Sequence, residues 1–324
     1  MDLSFITVLF LLRIFHGNAV PEQGIGEPEA TSRGRLVSAS TTMTTAWDIP
    51  RNPLTDSTLA ASADRDRITK GYILFMQTPE KAPKFAPNRL ACGNCHLNGG
   101  QRERALPLVG VAGVFPEFNK REGRSFSLED RIVGCFMRSE NATGYRADGR
   151  DSSSGPDSSL YPGVRSEEVG ALASYIVWLS EGIRAGETLP WRGRNTLHAD
   201  SLIPVERLNT ERGRALFVEN CRSCHGEDGQ GVQIGDKRAG PLWGPHSWND
   251  GAGAARIYTL AGIIRYAMPY LNPGSLTDEQ AQQIAAFINS MPRPEYPLKR
   301  SDYRQGGIPP DAVYYRNLTA PNPR

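Results

Sequence analysis

The chain has 324 residues and little of what would mark a nucleic-acid or membrane protein. Lys plus Arg (37) barely exceed Asp plus Glu (35), the formal charge is only +2, and no long basic run is present to neutralise a phosphate backbone. Nucleic acid is therefore excluded as an expected partner. Beyond the N-terminus no apolar stretch approaches the ~20 residues of a bilayer-spanning helix, so no stable membrane span is expected in the mature chain. Reactive side chains are scarce: five cysteines, five histidines and six methionines. Hydrophobic residues make up 39% and aromatics 8%, enough for two packed cores at ~150 residues per domain.

Residues 3–15 are apolar apart from Ser4, Thr7 and Arg13, and the small residues Gly17 and Ala19 follow. The run is too short for a permanent span. It reads as a secretory signal over residues 1–19, which predicts an exported, periplasmic protein. Asp2 is atypical of such signals, and an uncleaved N-terminal anchor is the rival reading. Residues 20–46, rich in Gly, Pro, Ser and Thr, bury too little apolar area to offset their chain entropy and read as a flexible segment.

Two units with the same plan follow. Residues 64–78 form a helical pattern with Ile68, Tyr72 and Phe75 on one face and Pro79 at its end. Ser166 caps a second helix, whose Val169, Leu172, Ala173, Ile176 and Leu179 form a core-facing stripe. Residues 186–204 lack a sustained period and read as a linker. The pattern then restarts with helices over 206–220 and 277–291, the latter opened by Thr277 with Gln280 three residues on. The expected fold is mainly α: a first domain at 47–185 and a second at 205–302, joined by the linker and followed by a C-terminal tail at 303–324.

Each unit carries the same frame, Cys92-Gly-Asn-Cys95-His96 and Cys221-Arg-Ser-Cys224-His225. Two thiols at this spacing can add to the two vinyl groups of haem while the next His reaches the iron, the c-type attachment signature. A shared zinc site would need CxxC pairs roughly 15–20 residues apart, and a thioredoxin-like pair would need a βαβ setting. Neither pattern is present. Two covalent haems c are expected, with His96 and His225 as proximal iron ligands.

Few residues remain for the distal positions. Met268, in Tyr-Ala-Met-Pro-Tyr, is held by a proline just before the terminal helix, and a thioether there would raise the potential of the second haem. Core filling is the bland alternative for such a methionine. The first unit has no Met-Pro loop; at the comparable place stands the unpaired Cys135, with Met137 as its competitor. A buried structural thiol is the ordinary reading. Against it, exported proteins seldom keep a free cysteine, and the flanking Arg121, Arg124, Arg131 and Arg138 are cations of the kind that favour a thiolate. His198 and His246 stay unassigned.

These residues resemble the dihaem thiosulfate dehydrogenases, c-type cytochromes that form tetrathionate. The similarity runs from about residue 47 to 302 and includes Ala-Cys-Gly-Asn-Cys-His-Leu-Asn-Gly-Gly at 91–100, Gly-Cys-Phe-Met-Arg-Ser at 134–139, His-Gly-Glu-Asp-Gly-Gln-Gly at 225–231, Pro-Leu-Trp-Gly-Pro at 241–245, Asn-Asp-Gly-Ala-Gly at 249–253 and Met268-Pro269. The resemblance implies that Cys135 is the distal ligand of the first haem and the catalytic thiol, with Arg121, Arg131 and Ser139 near the substrate. It also implies His225 and Met268 on the second haem. Some relatives carry a lysine before that methionine that can exchange as ligand; here the residue is Ala267, which argues against such a switch. Two thiosulfates would couple to tetrathionate, possible in either direction, and electrons would pass to an external acceptor such as a small cytochrome or other redox protein. The principal alternative is a non-catalytic dihaem electron carrier, in which Cys135 has no role; a dihaem peroxidase or a sulfur-carrier complex are further rivals.

Overall fold

The computed structural model describes residues 51–144, 157–235 and 237–319. The signal and flexible segments over 1–46, with His16 and Met43, lie outside the described residues.

The first domain is built on three long helices, α1 (Arg65–Met76), α2 (Leu128–Arg138) and α3 (Glu167–Leu179). Ser127 starts α2: its hydroxyl accepts from Asp130 N–H (3.1 Å) and the Asp130 carboxylate accepts from Ser127 N–H (3.0 Å), satisfying two amides of the first turn. Leu128, Ile132 and Phe136, one turn apart, are buried against Phe85, Val169 and Trp178 in a single apolar core. Ser166 caps α3 through Val169 N–H, as its sequence pattern predicts.

The second domain repeats the arrangement with α4 (Thr210–Asn220), α5 (Ile257–Ala267) and α6 (Asp278–Ser290). Asn209 caps α4, and Thr277 and Gln280 form the expected reciprocal cap on α6. Phe217, Trp243, Trp248, Leu260 and Ile284 centre its core. α2 and α5 stand between each attachment motif and the terminal helix, a stretch in which the sequence analysis names no helix.

The duplication is sharpest where the first and last helices of each domain cross. A Cβ on Gly71 of α1 would lie 2.7 Å from the Ala171 carbonyl carbon and 2.9 Å from Tyr175 Cβ on α3. A Cβ on Gly213 of α4 would lie 2.7 Å from the Gln283 carbonyl carbon and 2.8 Å from Phe287 Cβ on α6. Both crossings thus bring the glycine's backbone onto a residue pair four apart, with an aromatic second, and only a residue without Cβ permits that approach.

Segment 186–204 is packed rather than suspended between the domains. Leu189 and Trp191 pack on Val109 of the first domain. Leu197 enters the second core, and Ile203 N–H donates to Gln282 Oε1 (2.8 Å). Direct contacts also join the domains: Arg89 N–H donates to His246 O (3.1 Å), and Asn249, buried, donates to the carbonyls of Arg138 and Met137 through its backbone (3.1 Å) and side chain (2.8 Å). Residues 303–319 are likewise folded onto the molecule, with Tyr303, Ala312 and Tyr315 forming their own buried cluster. Two short antiparallel hairpins, β1 (Glu117–Asn119) with β2 (Arg124–Phe126) and β3 (Gln233–Ile234) with β4 (Lys237–Arg238), decorate the loops. No helix among the described residues is long and apolar enough to cross a membrane.

Candidate haem centres

At the first centre Cys92–Cys95 forms one helical turn, held by Asn94, whose side-chain oxygen accepts from Ala91 N–H (2.8 Å). His96 then turns out of the helix. Its Nδ1 lies 2.5 Å from Leu106 O, and a carbonyl can only accept, so Nδ1 carries the proton and Nε2 keeps a lone pair for a metal. Burial lowers the pKa of this imidazole, with Arg131 acting in the same direction, which favours the neutral, ligating form. The chain behind His96 turns through Asn98 and Gly99, both at positive φ, and Tyr175 OH pins it by donating to Gly99 O (2.6 Å).

Cys135 is half-buried on α2 and acts electrostatically on both Cys92 and Cys95. Burial, followed by the Glu140 carboxylate and Cys135, pushes the Cys95 thiol up to about 12. Arg131 is one turn before Cys135, so the two share a helix face. α2 thus sets Arg131 and Cys135 on one face, while its Ile132 and Phe136 lie in the core on which Cys92 packs. Met137, two residues further on, stands about 200° around the helix from Cys135.

The remaining arginines divide by partner. Arg138 is buried and structural: its two terminal nitrogens each donate to Asp302 at 2.8 Å, and one also donates to Glu122 (3.2 Å). Arg124 pairs with Asp130 (3.1 Å) at the surface. Arg121 donates through Nε to Tyr303 OH (3.2 Å) and through Nη1 to Gly251 O, the carbonyl that also accepts from Arg138 (3.1 Å). Arg121 is thus tied to the C-terminal end of α2 through one shared acceptor. Ser139 follows α2, and its carbonyl accepts from Asn88 (2.7 Å).

Sequence reasoning passed over Glu140. It is 3% exposed, its Oε1 lies 3.9 Å from Cys92 Sγ, and its Oε2 has no partner among the described residues. Burial pushes its carboxyl well above the ordinary range. No one-residue pattern announces such a group; only the return of the chain after α2 places it beside the attachment turn.

At the second centre the helical turn Arg222–His225 presents Cys224 and His225, with Cys221 at its start. His225 Nδ1 lies 3.1 Å from Gly240 O, which again leaves Nε2 available, and burial lowers its pKa. Burial, followed by Cys224, pushes the Cys221 thiol up to about 12. Met268 caps α5, its N–H donating to Ile264 O (3.2 Å), and precedes a cis peptide to Pro269. It is half-buried against Ile263 and Ala267 and against Leu97 and Ala105 of the first domain, at the seam between the domains. His198 is exposed beside Asp200, and His246 lies in an interdomain loop.

Among the described residues no three His, Cys, Asp or Glu side chains converge into a metal-holding cluster. Haem fits both centres: each has paired thiols at one turn and an imidazole whose Nε2 is free.

The fold and its sites define a cytochrome built from two c-type haem domains. Residues 82–185 match the family described as SoxA/TsdA, cytochrome c domain, and residues 208–288 match cytochrome C oxidase, cbb3-type, subunit III. The thiosulfate dehydrogenase of Stutzerimonas stutzeri is 33% identical over 246 residues, 76% of this chain and 73% of its own; that of Allochromatium vinosum is 34% identical over 271 residues, 81% and 89%. The solved thiosulfate dehydrogenase TsdBA from Marichromatium purpuratum superposes with a TM-score of 0.66 at 32% identity, covering 80% of this chain and 51% of that one. The chain belongs to the thiosulfate dehydrogenase family and carries two covalently attached haems c.

Proposed function

We propose that the protein oxidises two thiosulfates to tetrathionate at the first centre. In this reading Cys135 is the catalytic thiol, His96 and Cys135 would hold the first iron, and His225 with Met268 would hold the second. Support comes chiefly from one arrangement: a half-buried cysteine one turn after Arg131 on α2, the helix whose Ile132 and Phe136 build the core on which Cys92 of the first attachment turn packs. The names of the relatives supply the substrate class.

The chemistry assigned to the side chains balances. The Cys135 thiolate joins the outer sulfur of one thiosulfate, giving an S–S bond and a Cys135-bound thiosulfonate with loss of two electrons. A second thiosulfate attacks that outer sulfur, the bond to Cys135 breaks, and tetrathionate leaves with the thiolate restored. Two bound haems, each a one-electron acceptor, would supply the sink for the pair, which an external redox protein would then take up. Thiosulfate is a dianion, and two of them repel; the guanidinium forks of Arg131 and Arg121 and the Ser139 hydroxyl are the groups assigned to hold their oxygens. Ala267 is buried and offers no amine, so Met268 is not displaced by its neighbour. The same steps can run backwards from tetrathionate. Residues 1–19 direct the chain to the periplasm, which N-terminal sequencing of the mature protein tests.

The decisive experiment measures thiosulfate-dependent reduction of an acceptor, with tetrathionate quantified, in wild type and Cys135→Ala. Activity confined to the wild type is expected. Equal activity in both refutes the role of Cys135, and equal inactivity favours a non-catalytic carrier.

A further inference from the structure

The arginines around α2 differ in what neutralises them. Arg138 and Arg124 each pair with a carboxylate. Arg121, half-buried, has none within ion-pair distance among the described residues: its Nε donates to Tyr303 OH (3.2 Å) and its Nη1 to Gly251 O, both neutral acceptors. Its Nη2 has no acceptor among the described residues. Two bonds thus orient the guanidinium while its charge and a donor edge stay available to an anion. Gly251 O also accepts from Arg138, one turn after Cys135, which sets this guanidinium at the C-terminal end of the helix that carries the thiol.

The backbone of Arg121 is fixed as firmly. Its N–H donates to Asn119 Oδ1 (3.0 Å), and its carbonyl accepts from Tyr303 N–H (2.7 Å). Tyr303 therefore holds one residue twice, by main chain and by hydroxyl, with the guanidinium 5.6 Å from its ring centre. It does so at φ 55°, in the left-handed region that a bulky aromatic residue rarely occupies. Such a backbone persists only where the surroundings over-determine it. Here they do: the preceding Asp302 takes both terminal nitrogens of Arg138 (2.8 Å each) and the Tyr315 hydroxyl (2.5 Å), and the buried Tyr303 ring meets Tyr315 edge-on. Asp302 grips the Cys135 helix, and the next residue grips Arg121.

We infer that Tyr303 is a positioning residue for the substrate: it sets the Arg121 guanidinium for the oxygens of a thiosulfate and, with Asp302, fixes the spacing between that guanidinium and α2. Asp302 and Tyr303 lie beyond both family matches, so the C-terminal segment completes the substrate pocket of the first domain. This rests on thiosulfate binding at the first centre and not on the order of chemical steps at Cys135.

The test is calorimetric titration with thiosulfate of the haem-loaded Cys135→Ala protein, in which the thiol assigned to turnover is gone. On this background Tyr303→Phe keeps the ring and the main-chain bond, should unfold at the same temperature, and should raise the Kd about fivefold, the worth of one hydrogen bond. Arg121→Lys, which keeps the charge and loses the Nε donor, should raise it at least as much. Adding Tyr303→Phe to Arg121→Lys should then change the Kd by less than about twofold, because the hydroxyl acts through Nε. With Cys135 in place the same ranking is expected in kcat/KM. An unchanged Kd in Tyr303→Phe overturns the positioning role, and so does an equal loss of affinity with and without Arg121→Lys, which a merely structural effect would give. Should Tyr303→Phe yield no folded protein, Arg121→Lys decides alone: affinity as high as with arginine overturns the role. Absence of thiosulfate binding in both wild type and Cys135→Ala instead refutes the substrate reading on which the inference stands.

Discussion

Replacing Gly71 by alanine tests the helix crossing that organises the first domain, because two effects of opposite sign compete there. Gly71 is interior to α1, where helix propensity alone makes alanine better by about 1 kcal/mol. Against that gain, the added Cβ would meet the Ala171 carbonyl carbon at 2.7 Å and Tyr175 Cβ at 2.9 Å. Ordinary carbon contacts lie near 3.5–4.0 Å, so the helices must part by about 1 Å. The atoms in the way are backbone and the root of a buried side chain, not a flexible tip. Overpacking of this kind costs about 3 kcal/mol at the upper end of its usual range, which leaves a net loss near 2 kcal/mol. For a chain of this size that is a fall of about 3 °C in the unfolding midpoint of the haem-loaded protein. Gly170→Ala on α3 is the internal control. There the new Cβ would meet only the end of the Arg67 side chain, which can swing aside, and the midpoint should hold or rise. A Gly71→Ala protein as stable as wild type, or more so, would refute the close crossing.

Removing the Met268 thioether by Met268→Ala should alter the visible spectrum and potential of the second haem and leave the first unchanged; a change confined to the first haem would reassign the ligand. Asp302→Ala leaves the buried Arg138 without its two-point partner and should cost about 3–5 kcal/mol in unfolding experiments, more than any surface ion pair of this protein. At the start of α2, Ser127→Ala should cost about 1 kcal/mol at neutral pH. Asp130→Asn at the same cap behaves differently with acid: the backbone bond to Ser127 holds the Asp130 pKa below its ordinary value. That stabilisation is present above the unfolded pKa of about 4 and disappears as pH falls through the lower folded value, so wild type and Asp130→Asn should converge below roughly pH 4.

Much of the fold was legible because it is written in local code. The 3.6-residue stripe of α3, the Thr277 and Gln280 cap of α6, and the attachment motifs each need only neighbouring residues to be recognised. Helices α2 and α5 carry similar signals, the Ser127 and Asp130 cap and the spacing of Ile257, Leu260, Ala261 and Ile264, but glycines and prolines on either side break the surrounding period. The grouping of Cys135 with Arg131 follows from one helix face once α2 is granted. What stayed hidden depends on distant returns of the chain. Glu140 is in the first centre because α2 delivers it beside Cys92, and Arg121 is fastened by Tyr303, 182 residues later. The segment set apart as a tail over 303–324 supplies Tyr303, Tyr314 and Tyr315 to interior contacts, since a few buried aromatic residues suffice to dock a stretch with no periodicity of its own.

Gly240, whose carbonyl accepts from His225, also lies close against the first domain. A Cβ at that position would run into Leu90 and approach Asn94 to 3.4 Å, and Asn94 donates to Arg238 O (3.0 Å) across the same edge. Asn94, which fixes the attachment turn of one haem, therefore also backs the glycine whose carbonyl accepts from the other haem's imidazole. The two halves are not interchangeable modules. A second domain cut free, or grafted behind a different first domain, would lose that backing and become a different electron acceptor, even with all its own ligands in place.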